Sequence, residues 1–316
     1  MELLLYPLAR LILGVIQSLP LRIVARLGRF GGLVAYALDS RHRRVALRNL
    51  EMCFGGEKSH AEIKAIAREN FRRIGENFAC AAKTAAMDFS EIQAHVEFIT
   101  PPGISTARPG EATDRFVGAI GHFGNFELYA RFGQYIRGVK CASTYRALRQ
   151  PSLNRLMLSM REKSGTFLFE RRTEAEALKA AMQTPGILLG LLLDQHAGTG
   201  GVIVPFFGKD CSTSASAAVF ALRYDCPLHT GICYRVGLAQ WRIEPGPEIP
   251  TRINGEARPV ADITRDINRA FEAAVRRDPA NWFWVHNRWK TPKKPVHRTP
   301  AMLPTESPAP AEPNRS

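Results

Sequence analysis

The sequence predicts an α/β fold in which a mainly parallel mixed sheet is flanked by helices. Two observations support this expectation. From Arg115 to Arg235, short apolar runs alternate with stretches of helical periodicity, a pattern typical of parallel strands connected by helices. Upstream of this region, the first 40 residues are apolar and then amphipathic, so N-terminal helices are expected ahead of the sheet.

The N-terminal segment, residues 1–40, is interpreted as membrane-associating. The run from Leu3 to Leu19 is apolar except for Arg10 and Gln17. It is borderline in length, because a membrane span needs about 20 apolar residues. The segment also lacks the basic start and the small-residue cleavage site of a signal peptide.

Helical spacing continues after Pro20 in two adjoining stripes. The basic stripe contains Arg22, Arg26 and Arg29, and the apolar stripe contains Ile23, Leu27, Phe30 and Val34. Basic amphipathic helices with this pattern often lie on an anionic membrane face. The alternative is a helix of the protein core with a solvated basic edge.

Three regions are expected: the N-terminal segment 1–40, a domain at 41–290, and a Pro-rich tail at 291–316 that is expected to be disordered. Strands are predicted at Phe116–Gly121, Val139–Tyr145, Thr166–Phe169, Ile187–Asp194, Val202–Phe206 and Leu228–Arg235. Helices are predicted at Ser59–Ala86, Phe126–Ile136, Pro151–Lys163, Glu174–Met182, Ser212–Tyr224 and Val260–Val275.

Composition limits the class of protein. A hydrophobic fraction of 45% and a charged fraction of 23% exclude a disordered chain and a multi-span membrane protein. Lys and Arg total 43 against 29 acidic residues, which gives a net charge of +14, and most of this charge lies outside the tail. Such a chain attracts an anionic partner: nucleic acid, a phospholipid surface, a phosphorylated substrate or an acidic carrier protein.

No metal ion or cofactor is expected. The six cysteines form no CxxC pair, and His196 and His286 have no ligand-type residues at metal-binding spacing. Cys211 and Ser212 are nucleophile types, but the chain has no G-x-S-x-G elbow around either.

The segment with the clearest chemical content follows the first predicted strand. The strand ends at Gly121, His122 comes next, and a helix is expected to begin around Asn125, a good N-cap residue. Across such a turn, Glu127 can orient the imidazole of His122 and stabilise its protonated form. A neutral histidine is a useful base near pH 7. The alternative is a histidine that only forms hydrogen bonds in a turn.

The run from His122 to Glu127 resembles the His-x4-Asp/Glu motif of the lysophospholipid acyltransferase superfamily, and in detail its branch of lipid A biosynthesis late acyltransferases, the lauroyl and myristoyl transferases. The resemblance extends over Arg41–Lys290. Further matching stretches follow in order: Arg48-Asn-Leu with Cys53-Phe54, Tyr145-Arg146, Arg161, Glu170-Arg-Arg172, Asp194-Gln195, Val204-Pro-Phe-Phe-Gly208 and Trp282-Phe-Trp-Val-His-Asn-Arg-Trp-Lys290.

This resemblance implies transfer of a fatty acyl group from a thioester, on acyl carrier protein or coenzyme A, to a hydroxyl of a membrane lipid. His122 would be the general base and Glu127 its orienting partner, without a covalent acyl-enzyme. A lipid A precursor is the first expected acceptor, and other glycolipids or glycerophospholipids are the alternatives. The expected location is the cytoplasmic face of the bacterial inner membrane, held by the N-terminal segment.

Six residues are candidates for substrate binding: Asn125, Arg146, Arg161, Arg171, Asp194 and Lys209. Arginine forks match phosphate geometry, and Lys209 could also reach a phosphate. Asp194 closes an apolar strand, at the edge where open α/β sheets commonly place their active sites. It is expected either to orient a basic residue or to bind the acceptor sugar, with loop capping as the alternative.

Two other classes of protein are alternatives to an acyltransferase. A nucleic-acid-binding protein would explain the basic charge, but the chain lacks recognisable helix-turn-helix, zinc-finger or RNP signatures. It would also leave the apolar N-terminus unexplained, so no nucleic acid is expected as a partner. An inactive lipid- or carrier-binding relative is the second alternative, and the presence of both His122 and Glu127 argues against it.

Overall fold

A computed structural model describes residues 2–100, 115–136 and 138–290, with side chains described from residue 6 onwards. The tail predicted at 291–316 lies outside the described residues. The α-helices are α1 (Glu2–Ser18), α2 (Leu21–Leu38), α3 (Ser40–Phe54), α4 (His60–Thr84), α5 (Phe89–Gln93), α6 (Phe132–Tyr135), α7 (Pro151–Glu162), α8 (Ala175–Ala181), α9 (Ser216–Arg223) and α10 (Val260–Arg277). The strands are β1 (Val96–Phe98), β2 (Phe116–Ile120), β3 (Lys140–Tyr145), β4 (Phe167–Glu170), β5 (Ile187–Leu192), β6 (Val202–Phe206), β7 (Lys209–Thr213), β8 (Leu228–Gly237), β9 (Gln240–Glu248), β10 (Arg252–Ile253) and β11 (Glu256–Ala257).

The central sheet has seven strands in the order β1-β9-β8-β2-β5-β3-β4. All neighbouring pairs are parallel except β8 and β9. One face packs Val117 and Leu189 into a core with residues of α9 and α10. The predicted α/β fold, with a mainly parallel sheet flanked by helices, is therefore confirmed.

The order of the strands places the middle of the sheet at β2 and β5. The two strands are paired in register, with Gly118 beside Gly190 and Ile120 beside Leu192. The second face of the sheet lies beneath a 3-10 helix at Phe126–Arg131, which continues into α6. Because parallel strands end at the same edge, the residues that follow β2 and β5 come together.

One predicted strand is confirmed outside the central sheet, and two predicted helices differ from those observed. The strand Val202–Phe206 has the predicted bounds but forms a separate antiparallel hairpin with β7, closed by Phe207 and Gly208, both of positive φ. A helix expected from Ser212 begins at Ser216 instead, because residues up to Thr213 belong to β7. The helix expected at Phe126–Ile136 begins as the tighter 3-10 form.

Helix α2 packs closely along α4 through glycines. A Cβ on Gly32 would lie 2.1 Å from the carbonyl oxygen of Phe71, and one on Gly28 would lie 2.5 Å from that of Gly75. Only hydrogen side chains allow this approach of the two backbones. Helix α2 is therefore part of the packed structure as well as the carrier of an amphipathic surface.

Arg29 was expected to belong to the basic stripe on the surface, and this expectation is wrong. Its guanidinium group donates to Glu69 at 2.9 Å and to the fully buried Glu76 at 3.1 Å. Glu76 also accepts a hydrogen bond from Arg235 of β8 at 2.8 Å. The carboxylate of Glu76 thus links α2, α4 and the central sheet. Its two arginine partners compensate a buried charge that would be costly if it were unpaired.

The apolar stripe of α2, by contrast, faces outward. Its members Ile23, Leu27, Phe30 and Val34 are all exposed. Helix α1 exposes a further set: Tyr6, Leu8, Leu11, Ile12 and Val15. Among the described residues, no helix combines the length and the hydropathy that crossing a membrane requires.

Candidate active site

A cavity of about 820 Å³ lies on the second face of the sheet. Its walls come mainly from strands β2, β3, β4, β5 and β8, the 3-10 helix and α7, and residues of α8 and α9 also line it. Most of the lining is apolar. His122, Glu127 and Arg161 lie together at the end of this cavity nearest the carboxyl edge of the sheet. The cavity therefore brings three of the predicted site residues to one place.

The ring of His122 is held by Asp194. Nδ1 of His122 lies 2.7 Å from Oδ1 of Asp194, and the backbone N–H of His122 donates to Oδ2 at 2.8 Å. Strand register produces this pairing, because Ile120 lies beside Leu192 and the chain continues two residues beyond each. The ionised carboxylate accepts a hydrogen bond from the Nδ1–H group, which leaves Nε2 as the ring nitrogen that carries the lone pair.

Asp194 is itself fixed by the segment near the end of the described chain. Nε1 of Trp282 donates to Oδ2 of Asp194 at 2.8 Å. The amide of Asn70 on α4 donates to the carbonyl of Trp282 at 2.5 Å and to that of Ala280 at 2.9 Å. Helix α4 thereby holds the tryptophan, the tryptophan holds the carboxylate, and the carboxylate holds the imidazole.

The electrostatics of the site favour a charged pair. Burial alone would lower the pKa of His122, but the charge and hydrogen bond of Asp194, together with the charge of Glu127, raise it above its ordinary value. Burial would raise the pKa of Asp194, and the interactions with His122 and Trp282 lower it instead. The imidazole is therefore a stronger base than a free histidine.

Glu127 does not hold the ring directly. It forms a two-pronged ion pair with Arg161 of α7, in which Nε donates to Oε2 at 2.9 Å and Nη2 donates to Oε1 at 2.6 Å. No hydrogen bond joins Glu127 to His122 in the part of the chain that the structure describes. The expected orienting role is thus filled by Asp194, and Glu127 acts on the ring through its charge.

A buried arginine fixes the helix that carries Glu127. Arg131, at the end of the 3-10 helix, donates to the carbonyls of Thr84 and Met87 at the end of α4, and to that of Lys163 after α7. Burial lowers the pKa of Arg131. Because it has several carbonyl partners, this side chain holds the elements bearing Glu127 and Arg161 at a fixed separation.

The turn after His122 depends on a glycine. Gly124 has a φ of +50°, and a Cβ there would lie 2.5 Å from the carbonyl oxygen of Cys233. Asn125 follows at the N-cap position but makes no side-chain capping hydrogen bond. Its side chain is buried and both of its polar atoms lack a partner, so Asn125 has the predicted N-cap position without a side-chain capping hydrogen bond.

The remaining candidates for substrate binding are spread around the cavity. Arg146 and Arg171 are exposed and line it, whereas Lys209 lies on the hairpin outside the lining. Asp194 was expected to orient a basic residue or to bind acceptor sugar. Its side chain is 1% exposed beneath the imidazole, so the geometry corresponds to the first alternative.

Aromatic rings surround the outer side of His122. Its ring centroid lies 4.8 Å from that of Phe126 and 5.8 Å from that of Phe283. Phe78 of α4 packs edge-on against both phenylalanines and is 52% exposed. An apolar surface therefore continues from His122 to the outside of the protein.

Two polar neighbours of the site were not predicted from the sequence. The amide Nε2 of Gln195 lies 3.4 Å from Nε2 of His122. Arg288 is fully buried and donates to the carbonyls of Gln195 and Ser212, so it holds the loop after β5 against the hairpin. Both residues lay within the matching stretches of the resemblance, but their partners are distant in sequence.

His286 is not an alternative base. Its Nε2 accepts the backbone N–H of His196 at 3.0 Å, and burial lowers its pKa to about 4. The aromatic segment that contains it is largely core, since Trp282 and Trp284 are buried. Unlike His122, whose pKa is raised, His286 therefore has a lowered pKa and its Nε2 is occupied by a backbone hydrogen bond.

The fold and site together define a class of protein: an α/β protein with a carboxylate-held histidine beside a large, mainly apolar cavity. Comparison with known proteins narrows this class. The family model described as "Bacterial lipid A biosynthesis acyltransferase" matches residues 5–291. The chain belongs to this family, and it is an acyltransferase.

Curated relatives agree with the family. The chain is 24% identical over 287 residues to a lipid A biosynthesis lauroyltransferase of Escherichia coli (strain K12), covering 89% of each chain. It is 23% identical to the lipid A biosynthesis palmitoleoyltransferase of the same organism, covering 87% of each. A lipid A biosynthesis acyltransferase of Haemophilus influenzae is 24% identical over 91% of this chain and 90% of its own length. The family identified by resemblance is confirmed.

Proposed function

We propose that this protein transfers a fatty acyl group from an acyl thioester to a hydroxyl of a lipid A precursor, with His122 as the general base. One observation carries the mechanism: Asp194 holds Nδ1 of His122, while the ring borders the large cavity. The relatives named as lauroyl- and palmitoleoyltransferases of lipid A biosynthesis support the choice of substrates.

In the proposed reaction, Nε2 of His122 removes the proton of the acceptor hydroxyl as its oxygen attacks the thioester carbonyl. A carbon–oxygen bond forms and the carbon–sulfur bond breaks. The imidazolium then returns its proton to the departing thiolate, so that a free thiol leaves. Asp194 stabilises the imidazolium and keeps the Nδ1 proton in place throughout.

Glu127 and Arg161 serve this reaction as a pair. The negative charge of Glu127 favours the protonated ring. Arg161 lines the cavity while its guanidinium group is anchored on Glu127. A cation held in this way can face the negative charge that develops on the thioester carbonyl oxygen. In this proposal Glu127 has two roles: it raises the basicity of His122 and positions Arg161.

Arg146 and Arg171 are proposed to bind the phosphates of the substrates. Both are exposed at the cavity, and the backbone N–H of Arg171 donates to the carbonyl of Tyr145, next to Arg146. Phosphate groups occur on phosphorylated glycolipid acceptors and on the phosphopantetheine arm of acyl carrier protein or coenzyme A. Neither arginine makes a described salt bridge with an acidic side chain, so both guanidinium groups are available.

The N-terminal helices are proposed to rest on the cytoplasmic face of the bacterial inner membrane. Leu11 of α1 and Phe30 of α2 are 65% and 66% exposed, beside the exposed Arg22 and Arg26. Apolar side chains bordered by arginines bind anionic phospholipid surfaces. The exposed ring of Phe78 would extend this surface toward His122 and would give a lipid acceptor an apolar approach.

Vesicle binding tests this surface. The variant Leu27→Glu/Phe30→Glu is expected to lose most of its co-sedimentation with anionic phospholipid vesicles. Ile253→Glu is the control, because Ile253 is 58% exposed on the distant hairpin of β10 and β11. Equal binding by both variants would contradict the proposed membrane surface.

An acyl-transfer assay tests the reaction. The purified protein is incubated with a lipid A precursor and an acyl thioester, on acyl carrier protein and on coenzyme A in parallel, and products are identified by mass spectrometry. His122→Ala is expected to lower the rate by roughly 10²- to 10⁴-fold. His60→Ala is the control, because the side chain of His60 is 67% exposed on the surface. Full activity of His122→Ala would overturn the mechanism.

The acceptor is tested in the same assay. A glycolipid and a glycerophospholipid replace the lipid A precursor in separate reactions. The proposal expects acylation of the lipid A precursor at the highest rate. Faster acylation of either replacement would retain the acyltransferase and reject this acceptor.

A further inference from the structure

Two glycines lie side by side in the middle of the central sheet. Gly118 of β2 is the direct register partner of Gly190 of β5. Glycine weakens the interior of a strand, because it loses more backbone entropy on folding than other residues and has no side chain to pack. A glycine pair at the centre of a seven-stranded sheet therefore requires a structural reason.

The fold itself supplies no such reason. Neither glycine has a positive φ. A Cβ on Gly118 would meet nothing closer than 3.8 Å, and one on Gly190 would lie 3.4 Å from Ile120. Both are ordinary van der Waals contacts, so no neighbouring element needs the space. Instead, the missing side chains open into the cavity, since both glycines belong to its lining.

The two glycines lie partway along the cavity. His122 is at the carboxyl edge of β2, and Phe116 lies at the opposite end of the same strand. Phe116, Phe132 and Cys141 line the cavity and are buried in an apolar cluster, so they close its inner end. At 3.3 Å per residue, the floor extends ~20 Å from His122 to Phe116 and ~13 Å from His122 to Gly118.

These lengths match an extended fatty chain. Each methylene advances such a chain by roughly 1.3 Å, given carbon–carbon bonds of ~1.5 Å. A chain whose carbonyl lies at His122 therefore reaches Gly118 and Gly190 after about ten carbons. Longer chains must pass over the two glycines to reach the closed end.

We propose that Gly118 and Gly190 form the floor of the channel that takes the donor's acyl chain, and that their missing side chains allow chains longer than about ten carbons to reach its closed end. This inference rests on the proposed acyl transfer. It assigns the cavity to the donor rather than to the acceptor, because the channel begins at the reacting histidine and is closed at its far end. Apolar burial along the floor supplies the binding energy.

The test compares two donors, octanoyl and hexadecanoyl thioesters, at one concentration of lipid A precursor. The variants are Gly118→Val and Gly190→Val, which place a strand-favouring side chain on the floor from either strand. Gly118→Ala adds a smaller side chain at the same position. Gly237→Val at the end of β8 is the matched control, because it lies outside the cavity lining and its Cβ would have an ordinary contact at 3.4 Å.

The expected result is a fall of about tenfold or more in the ratio of hexadecanoyl to octanoyl kcat/KM for the two cavity variants. Discrimination of this size is usual where even one methylene no longer fits a pocket. Gly118→Ala is expected to give a smaller fall in the same direction, and Gly237→Val none. Thermal unfolding of each variant identifies those that are folded.

A ratio unchanged in folded Gly118→Ala and in either folded valine variant would overturn the inference. So would an equal loss with both donors, since it would show a general effect on the site. Failure of the unsubstituted protein to transfer either chain is a different result, because it would reject the proposed function itself.

Discussion

His122 and Asp194, which are 72 residues apart, form a hydrogen bond of 2.7 Å across the ends of two neighbouring parallel strands. The pairing follows from the register of β2 with β5, in which Ile120 lies beside Leu192. Asp194 is almost fully buried, and its two oxygens accept hydrogen bonds from His122 and Trp282. The carboxylate therefore fixes both the position and the tautomer of the imidazole.

Replacing Asp194 by Asn tests this relationship. The amide cannot stabilise the imidazolium and favours the wrong tautomer, so kcat is expected to fall by about 10³- to 10⁴-fold, as in other histidine–aspartate pairs. Measured kcat and KM should show the loss mainly in kcat. Asp210→Asn, on the exposed edge of the β6–β7 hairpin, is expected to retain activity. An Asp194→Asn enzyme with near-normal kcat would contradict the assignment.

The sequence could predict His122 as a candidate base, but not the side chain that holds its ring. The strands around the site were recognisable because β2 and β5 are short apolar runs, and the motif located His122 and Glu127 next to each other in the chain. The partner depends on which strands become neighbours and in what register, and local spacing contains no such information. Asp194 was recognisable as an edge residue, but its contact with His122 required the strand order.

Strand β9 shows a second limit. Its sequence contains Pro245, Gly246 and Pro247, residues that normally argue against a strand. It is nevertheless a strand because it pairs in antiparallel fashion with β8, with irregular register near Gly231 and Gly237. Tertiary pairing overrides the local preference here.

The pH dependence of the reaction should reveal the charge of Glu127. Only the neutral ring accepts a proton, so kcat/KM rises with pH through the pKa of His122 and then levels off. Asp194 and Glu127 raise that pKa, which places the acidic limb above the ordinary value of about 6.5. In Glu127→Gln one of the two negative charges is lost, so the limb is expected to move to lower pH.

Profiles of kcat/KM against pH for the unsubstituted enzyme and for Glu127→Gln measure this shift. Glu176→Gln is the control, because Glu176 pairs with Lys179 on the surface of α8. If the acidic limb does not move in Glu127→Gln, the glutamate influences the reaction only through Arg161.

Gly124 is expected to be essential to the turn that presents His122. In Gly124→Ala the residue must keep a φ of +50°, and its Cβ would lie 2.5 Å from the carbonyl of Cys233. Gly165→Ala is a matched control with a φ of +68° and no atom within 4 Å of the added Cβ. The free energy of unfolding of this control should fall only by about 1–2 kcal/mol, the cost of holding an alanine at a positive φ.

Urea unfolding is expected to show that the free energy of unfolding falls by about 1–3 kcal/mol more in Gly124→Ala than in Gly165→Ala, because of the added steric clash. Acyl transfer should also fall in Gly124→Ala alone, since relief of the clash displaces the turn beside His122. Equal stabilities and equal activities of the two variants would show that the turn tolerates a side chain.

The contact between α2 and α4 provides the last prediction. Gly31 and Gly32 are adjacent on α2 but face different surroundings. A Cβ on Gly32 would lie 2.1 Å from the carbonyl oxygen of Phe71, whereas one on Gly31 would meet nothing within 4 Å. In Gly31→Ala, the better helix former is expected to increase the free energy of unfolding by about 0.5–1 kcal/mol.

Gly32→Ala is expected to lower the free energy of unfolding by about 2 kcal/mol or more, because the two helix backbones must separate. Their separation would also weaken the ion pair of Arg29 with the buried Glu76, which adds to the loss. Urea unfolding of both variants, followed by circular dichroism, measures the difference. If both alanines change stability alike, the close approach of α2 to α4 contributes little to the stability of the fold.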